Sequence, residues 1–315
     1  MGACLTMAAE VVAQAGAGFP MKPIRLVLGF PAGGGADTVA RVFIPGMEKA
    51  LGQPIIIDYR PGAGGTVATD QVARASADGY TLHYADSGPL TVVPASRKLG
   101  YDPETAFTPI SLVLEGGYVV VAHPSVGAAS IGDLVGMARA RPGVLSYGSS
   151  GTGSSGHLAI ELLKAMARID LVHIAYKGGA QSMTDLVGGQ IPLLVASLPT
   201  AVPQVRAGKI KALGVTSTRR AAALAEVPSI AEQGFPGYDA SVWFALIGPA
   251  GMPADVVARV RNALLSSLDE LTVREAIRTQ GYDVSTSTPS ELNGRIRSEL
   301  GKWRKLIADS GLRME

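Results

Sequence analysis

Residues 144–175 read VLSYGSSGTGSSGHLAIELLKAMARIDLVHIA, and this stretch sets the fold class. An apolar run over 144–148 stops at a loop of serine, glycine and threonine. Residues 155–167 then repeat apolar side chains at helical spacing, and a second short apolar run follows at 171–175. Strand, helix and strand in so few residues make a compact βαβ unit, with parallel strands and a helix over one face.

Outward from this unit the same grammar repeats. Strands are expected at 24–30, 55–59, 81–85, 110–114, 118–123, 191–195, 210–215 and 241–247, mostly separated by helical stretches. Asp37 is placed to cap a helix carrying Val39, Val42, Phe43, Met47 and Leu51 on one side. Pro45-Gly46 inside it should bend it, because proline lacks the donor N–H and crowds the preceding turn. Ser130, with Asp133 three residues on, marks another helix start. The last third reads as helical over 254–268 and 289–309, with Gly311 as a C-cap. Short strands with room for crossovers predict parallel sheets covered on both faces. The long apolar strands at 118–123 and 241–247 suggest two α/β lobes joined by two crossing strands.

Composition narrows the function. Charged residues are 17% of the 315, against about 25% in ordinary domains. The 28 basic and 26 acidic side chains leave a formal charge of +2, with 47% apolar residues. That excludes a disordered chain and lends no support to a nucleic-acid binder, which would concentrate basic residues on one face. Cys4 is the one cysteine, so neither a disulfide nor a cysteine metal cluster is expected. Residues 1–21 are small and apolar, and Ala13-Gln14-Ala15 fits a signal-peptidase site. A basic start is missing, so the segment reads as a truncated or mis-started secretory signal; Met1-Gly2-Ala3-Cys4 also resembles the end of a lipoprotein box. Elsewhere no apolar run approaches the roughly 18 residues of a membrane span, and the mature protein is expected to be soluble.

Ligands of open parallel sheets bind beyond the carboxyl ends of the strands. The segments there are 30–35 (FPAGGG), 86–88 (DSG), 149–155 (SSGTGSS) and 176–179 (YKGG). Most run into a helix, whose free N–H groups and positive dipole end attract an anion. One such loop is an ordinary turn; four at successive strand ends point to an anion site. Residues 151–156 also match G-x-G-x-x-G, but the following strand ends in Tyr176-Lys177 and lacks the acid that would hold a ribose.

Catalytic constellations are thin. His83, His123, His157 and His173 share no metal-ligand spacing, and no nucleophile elbow, S-x-x-K or phosphate-binding P-loop occurs. Asp37 reads as a cap rather than a base, and Trp243 and Phe244 as core. Lys177 is either an anion contact or a solvated loop lysine. No catalytic residue, metal ligand or cofactor is expected. An α/β enzyme acting on a small anion at the same cleft, or a ligand-sensing module, stand as alternatives to a receptor.

The motifs FPAGGGADTVAR (30–41), RPGAGG (60–65), DGYTL (78–82), YGSSGTGSSGHL (147–158), YKGGA (176–180) and PAGMP (249–253) resemble those of the Bug-type solute receptors of tripartite tricarboxylate transporters. The resemblance runs from about 23 to 311. It implies a type II periplasmic binding-protein fold, with lobe 1 built from 22–120 plus 248–315 and lobe 2 from 121–247. It further implies a monomeric periplasmic receptor that closes on a small organic carboxylate and delivers it to integral membrane subunits. The positions it assigns to ligand binding are Phe30, Ala32, Gly34, Gly35, Ser87, Gly88, Ser150, Gly151, Thr152, Gly153, Ser154, Ser155, Lys177, Gly178 and Ser197, partly through ordered water. Ala196-Ser197 departs from the family's polar pair before Leu-Pro, which favours a simple carboxylate over an amino acid, whose ammonium would want an acid nearby; Asp86 could still serve as that acid. Pro45-Gly46 departs too, remote from the cleft.

Overall fold

A computed structural model of the chain describes residues 18–310. The expected cleavage site at 13–15, Cys4 and Gly311 lie outside the described residues. Phe19 lies inside them: it is 5% exposed, its ring 5.1 Å from that of Tyr80, and Met21 N–H donates to the Tyr80 hydroxyl. The end of the expected leader 1–21 is thus packed into the folded body.

The chain begins with β1 (Ile24–Leu28), α1 (Gly35–Leu51), β2 (Ile55–Tyr59), α2 (Thr66–Ala73), β3 (Thr81–Asp86), α3 (Val93–Ser96) and β4 (Phe107–Gly116). It continues with β5 (Tyr118–Ala122), α4 (Ile131–Ala140), β6 (Ser146–Ser149), α5 (Ser155–Ala167), β7 (Val172–Ala175), α6 (Gly179–Val187), β8 (Leu193–Ser197), α7 (Leu198–Arg206) and β9 (Lys211–Val215). It closes with β10 (Val242–Pro249), α8 (Ala254–Asp269), α9 (Leu271–Thr279), β11 (Asp283–Val284) and α10 (Pro289–Ser310). The strands form two sheets, ordered β11-β4-β10-β3-β1-β2 and β7-β6-β8-β5-β9. Each is the core of one α/β lobe, as expected.

Strand direction corrects one expectation. The sheets are mixed rather than parallel: β10 runs antiparallel to β3 and β4, β11 to β4, and β5 to β8 and β9. For the two crossing strands the reason is topological. A chain arriving from the other lobe enters at the end where the parallel strands finish, so β5 and β10 must run the opposite way. The first passage is at Gly117, between β4 and β5; the second uses residues 216–241. The two passages touch. A β-carbon on Gly117 would lie 2.7–3.0 Å from the backbone and side chain of Ser217, and Thr216 Oγ1 accepts from Tyr118 N–H at 2.8 Å.

Helix α1 keeps Pro45 without breaking. Its dock on α8 is close: Ser267 Oγ donates to the Phe43 carbonyl at 2.7 Å, and Gly46 leaves room for that serine. Asp37 is not the N-cap. The helix starts two residues earlier, and the Asp37 carboxylate accepts from Gly33 N–H, Arg41 Nε and the Tyr59 hydroxyl, clamping the loop that precedes the helix. Burial alone would raise its pKa, but those three donors outweigh it and hold the group below the usual carboxylate range. Ser130 caps α4 as expected, accepting from Asp133 N–H at 3.0 Å.

Candidate functional site

The carboxyl ends of the parallel strands in the two lobes face one another. Between them lies a narrow cavity of about 30 Å³, walled by Phe30, Gly34, Gly35 and Ala36 from one lobe and Ser150, Gly179, Val195 and Ser197 from the other, with Phe244 and Tyr118 at its back. A larger recess of about 240 Å³ sits behind the crossing strands, lined by charged residues such as Arg219, Arg220 and Lys302. The smaller cavity is the candidate site because the glycine-rich strand ends meet there.

Helix starts give it its character. Helices α1, α6 and α7 begin at or beside the cavity wall, at Gly35, Gly179 and Leu198. None has a side-chain cap on its leading N–H groups, so the donors of α1 and α6 are open to a ligand; α7 offers chiefly its dipole, since Pro199 has no N–H and the Leu198 backbone faces Tyr282. Helix α5 differs: the Ser154 hydroxyl accepts from His157 N–H at 3.3 Å.

The loop before α5 is held from beneath. Gly153 N–H donates to His157 Nδ1 at 3.1 Å, Gly151 N–H donates to Ser149 Oγ at 3.1 Å, and Ser149 Oγ meets His173 Nε2 at 2.7 Å. The rings of His157 and His173 stack at 4.0 Å. Burial pushes both imidazoles down to about 4; for His173 its neighbour His157 adds to the effect. A neutral His157 is what the loop needs, since only an unprotonated Nδ1 accepts from Gly153.

The expected site residues divide. Phe30, Gly34, Gly35, Ser150 and Ser197 line the cavity. Gly88 and Ser155 face each other across the lobes: a β-carbon on Gly88 would lie 2.8 Å from Ser155 Oγ. Gly178 packs on Pro31, and Gly151, Thr152 and Gly153 form the loop against which the other lobe rests. Ser154 spends its hydroxyl on the helix, and the Ser87 carbonyl accepts from Thr91. Ala32 and Lys177 are exposed and outside the cavity lining. The sequence reading placed Gly179 only within the 176–179 loop, missed Ala36, Tyr118 and Val195, and took Phe244 for core. Tyr118, Val195 and Phe244 sit in strands, where sequence alone does not say which face meets the cleft. It also missed Gly64, which sits at φ 64° with no room for a side chain: a β-carbon there would lie 2.7 Å from Gly153 C and Ser154 N.

Among the described residues no cluster of three or more His, Cys, Asp or Glu side chains could hold a metal ion, and no helix is long and apolar enough to cross a membrane. The site offers hydroxyls, open N–H groups and aromatic walls.

Residues 39–312 match the model of the tripartite tricarboxylate transporter family receptor. The chain belongs to that receptor family. Solved relatives agree with the assignment. The receptor superposes on the periplasmic binding protein BugD with a TM-score of 0.90 at 30% identity, covering 94% of this chain and 100% of that one. It superposes on Rpa4515 of R. palustris, solved with adipate, at 0.89 and 32%, covering 94% and 99%. It superposes on MatC of Rhodopseudomonas palustris, solved with bound malate, at 0.87 and 30%, covering 92% and 100%. The receptor therefore has the two-lobed fold of periplasmic solute-binding proteins, and its family is one of binding proteins for transport.

Proposed function

We propose that this receptor works in the periplasm as a monomer, captures a small organic carboxylate between its lobes, and hands it unchanged to the membrane subunits of a tripartite tricarboxylate-type transporter. The observation that carries this reading is the set of uncapped helix starts at one cleft, which supplies donors and positive potential for an anion. Relatives that bind adipate and malate support a carboxylate ligand. In this reading the moving bodies are 22–120 with 248–315 and 121–247. Membership of β10 in the first sheet favours a second boundary nearer 241. One ligand carboxylate lies on the Ser150–Ser155 loop and beside Gly178 and Ser197, with Phe30, Gly34, Gly35 and Gly88 closing over it. The segment 1–21 carries a truncated secretory signal, and cleavage at Ala13-Gln14-Ala15 would leave the packed Phe19 in the mature protein.

Native mass spectrometry of protein purified without refolding, followed by melting curves with mono- and dicarboxylates, tests the proposal. A carboxylate at a hundredfold excess over its Kd should stabilise the fold by about 2.7 kcal/mol, and no product should form. A panel in which no carboxylate raises the melting temperature, or in which one is turned over, would overturn it.

A further inference from the structure

Three buried polar atoms stand without a hydrogen-bond partner around Phe244: Asp86 Oδ1, the Tyr84 hydroxyl and the Tyr282 hydroxyl. Tyr282 faces the Leu198 backbone without reaching hydrogen-bond geometry. Such atoms are costly to bury, so three together call for an explanation. Their neighbourhood supplies one. Tyr84 and Asp86 point from the same face of β3, two residues apart. Phe244 on β10 lies directly opposite Asp86, stacks on Tyr84 at 5.2 Å and sits 5.9 Å from the Tyr282 ring. The same Phe244 walls the cleft cavity, as does Tyr118, whose phenol lies beside Asp86 and Ser155. The unpartnered group therefore adjoins the aromatic end of the candidate site, where Asp86 meets Ser155 of the facing lobe.

We propose that Asp86, Tyr84 and Tyr282 form an inner subsite of the cleft that reads a hydroxyl group on the bound carboxylate. This rests on the receptor reading above and names the ligand class within it: hydroxy acids. Asp86 Oδ2 already accepts from Ser155 Oγ at 3.2 Å, which leaves Oδ1 to accept from the ligand hydroxyl. The two phenols can donate to that hydroxyl's oxygen. An ammonium in its place would need a full negative charge opposite it. Burial pushes the Asp86 carboxyl up to about 7, toward its neutral form, and among the groups acting on Asp86 there is no cation. A hydroxyl asks for no such charge.

The test is calorimetry and melting curves at pH 6, below the Asp86 value of about 7, with acids paired as unsubstituted and hydroxylated forms: propionate with lactate, succinate with malate, glutarate with 2-hydroxyglutarate. Alanine and aspartate serve as ammonium counterparts. In at least one pair the hydroxylated member should bind at least tenfold more tightly. Asp86→Asn should bring that ratio close to one, because any affinity lost through the Ser155 contact is lost equally by both members of a pair. Tyr84→Phe and Tyr282→Phe guard against misfolding of the first variant. Each removes only an unpartnered oxygen, so the melting temperature should hold or rise while the preference for the hydroxy acid falls. Pairs whose two members bind equally, a preference that survives in all three variants, or tighter binding of the amino acid would overturn the subsite and leave the receptor reading intact. If no member of any pair binds, the receptor reading fails, and this inference with it.

Discussion

The Ser155 hydroxyl at the start of α5 donates to Asp86 Oδ2 at 3.2 Å, joining one lobe to the other across the cleft. Both groups are buried, Asp86 at 2% and Ser155 at 9% exposure. If the lobes open and close as proposed, the bond forms only on closing, and its energy adds to closure rather than to the stability of either lobe. Ser155→Ala should weaken carboxylate binding about tenfold, the equivalent of about 1.4 kcal/mol. The melting temperature of the protein alone should move by only a few degrees. Calorimetry with the acid that co-purifies checks this; an unchanged Kd would mean that the bond contributes nothing to capture.

Gly64→Ala is expected to separate folding from closure. The substitution adds a carbon 2.7 Å from the Gly153–Ser154 peptide of the facing lobe, at a left-handed backbone that costs an alanine about 1–2 kcal/mol. Each lobe should still fold. Ligand affinity should drop by well over tenfold, and small-angle scattering should give a larger radius of gyration with ligand than the parent protein has. A compact, tight-binding variant would place Gly64 outside the closing surface.

Ser150 and Ser154 should fail in different ways. Ser150 lines the cavity, so Ser150→Ala should reduce affinity with little change in melting temperature. Ser154 holds the helix start, so Ser154→Ala should cost about 1 kcal/mol of stability. Its effect on affinity should follow only from loosening of the loop. Melting curves alongside titrations distinguish the two, and a stability loss confined to Ser150→Ala would reverse these roles.

Acid should destabilise the protein in a window set by three buried histidines. Burial pushes His83, His157 and His173 each down to about 4, whereas an imidazole in the unfolded chain titrates near 6.5. Between those values the unfolded chain binds more protons, so their contribution is complete above pH 6.5 and is lost as pH falls toward 4. Asp86 opposes this. Its carboxyl, raised by burial to about 7, keeps a proton in the native state that the unfolded chain releases near 4. Its contribution thus favours the native state at low pH and declines as pH rises toward 7. Around it stand the neutral Tyr84, Tyr118, Tyr282 and Ser155. Asp86→Asn should therefore melt higher than the parent protein at pH 8 and show a steeper acid loss below 6.5. Parallel melting curves for the two would expose any error in this assignment.

Much of the fold was legible because it is written locally. The βαβ unit at 144–175, the Ser130 cap and the glycine-bearing strand ends follow from periodicity and turn chemistry within a few residues. What escaped depends on partners distant in sequence. The direction of β5 and β10 is set by where the chain enters each lobe, which no local pattern encodes. Asp37 has the residue type of a cap, but Tyr59 and Arg41 draw its carboxylate into a clamp on Gly33. Phe244 was legible as buried, yet its place on the cavity wall depends on β10 pairing with β3. The hydrogen-bond shortfall at Asp86, Tyr84 and Tyr282 has no sequence signature, since it arises only when β3 meets a segment some two hundred residues further along the chain.

Gly117 has a mechanical consequence. Because the two passages between the lobes lie against each other at Gly117 and Ser217, the two ribbons would have to turn together in the proposed closure. A door hung on two adjoining pins swings about a single line, and its edge always meets the same jamb. In that closure Gly64 and the Gly153–Ser154 peptide would be the edge and the jamb, with no room between them for one more carbon atom.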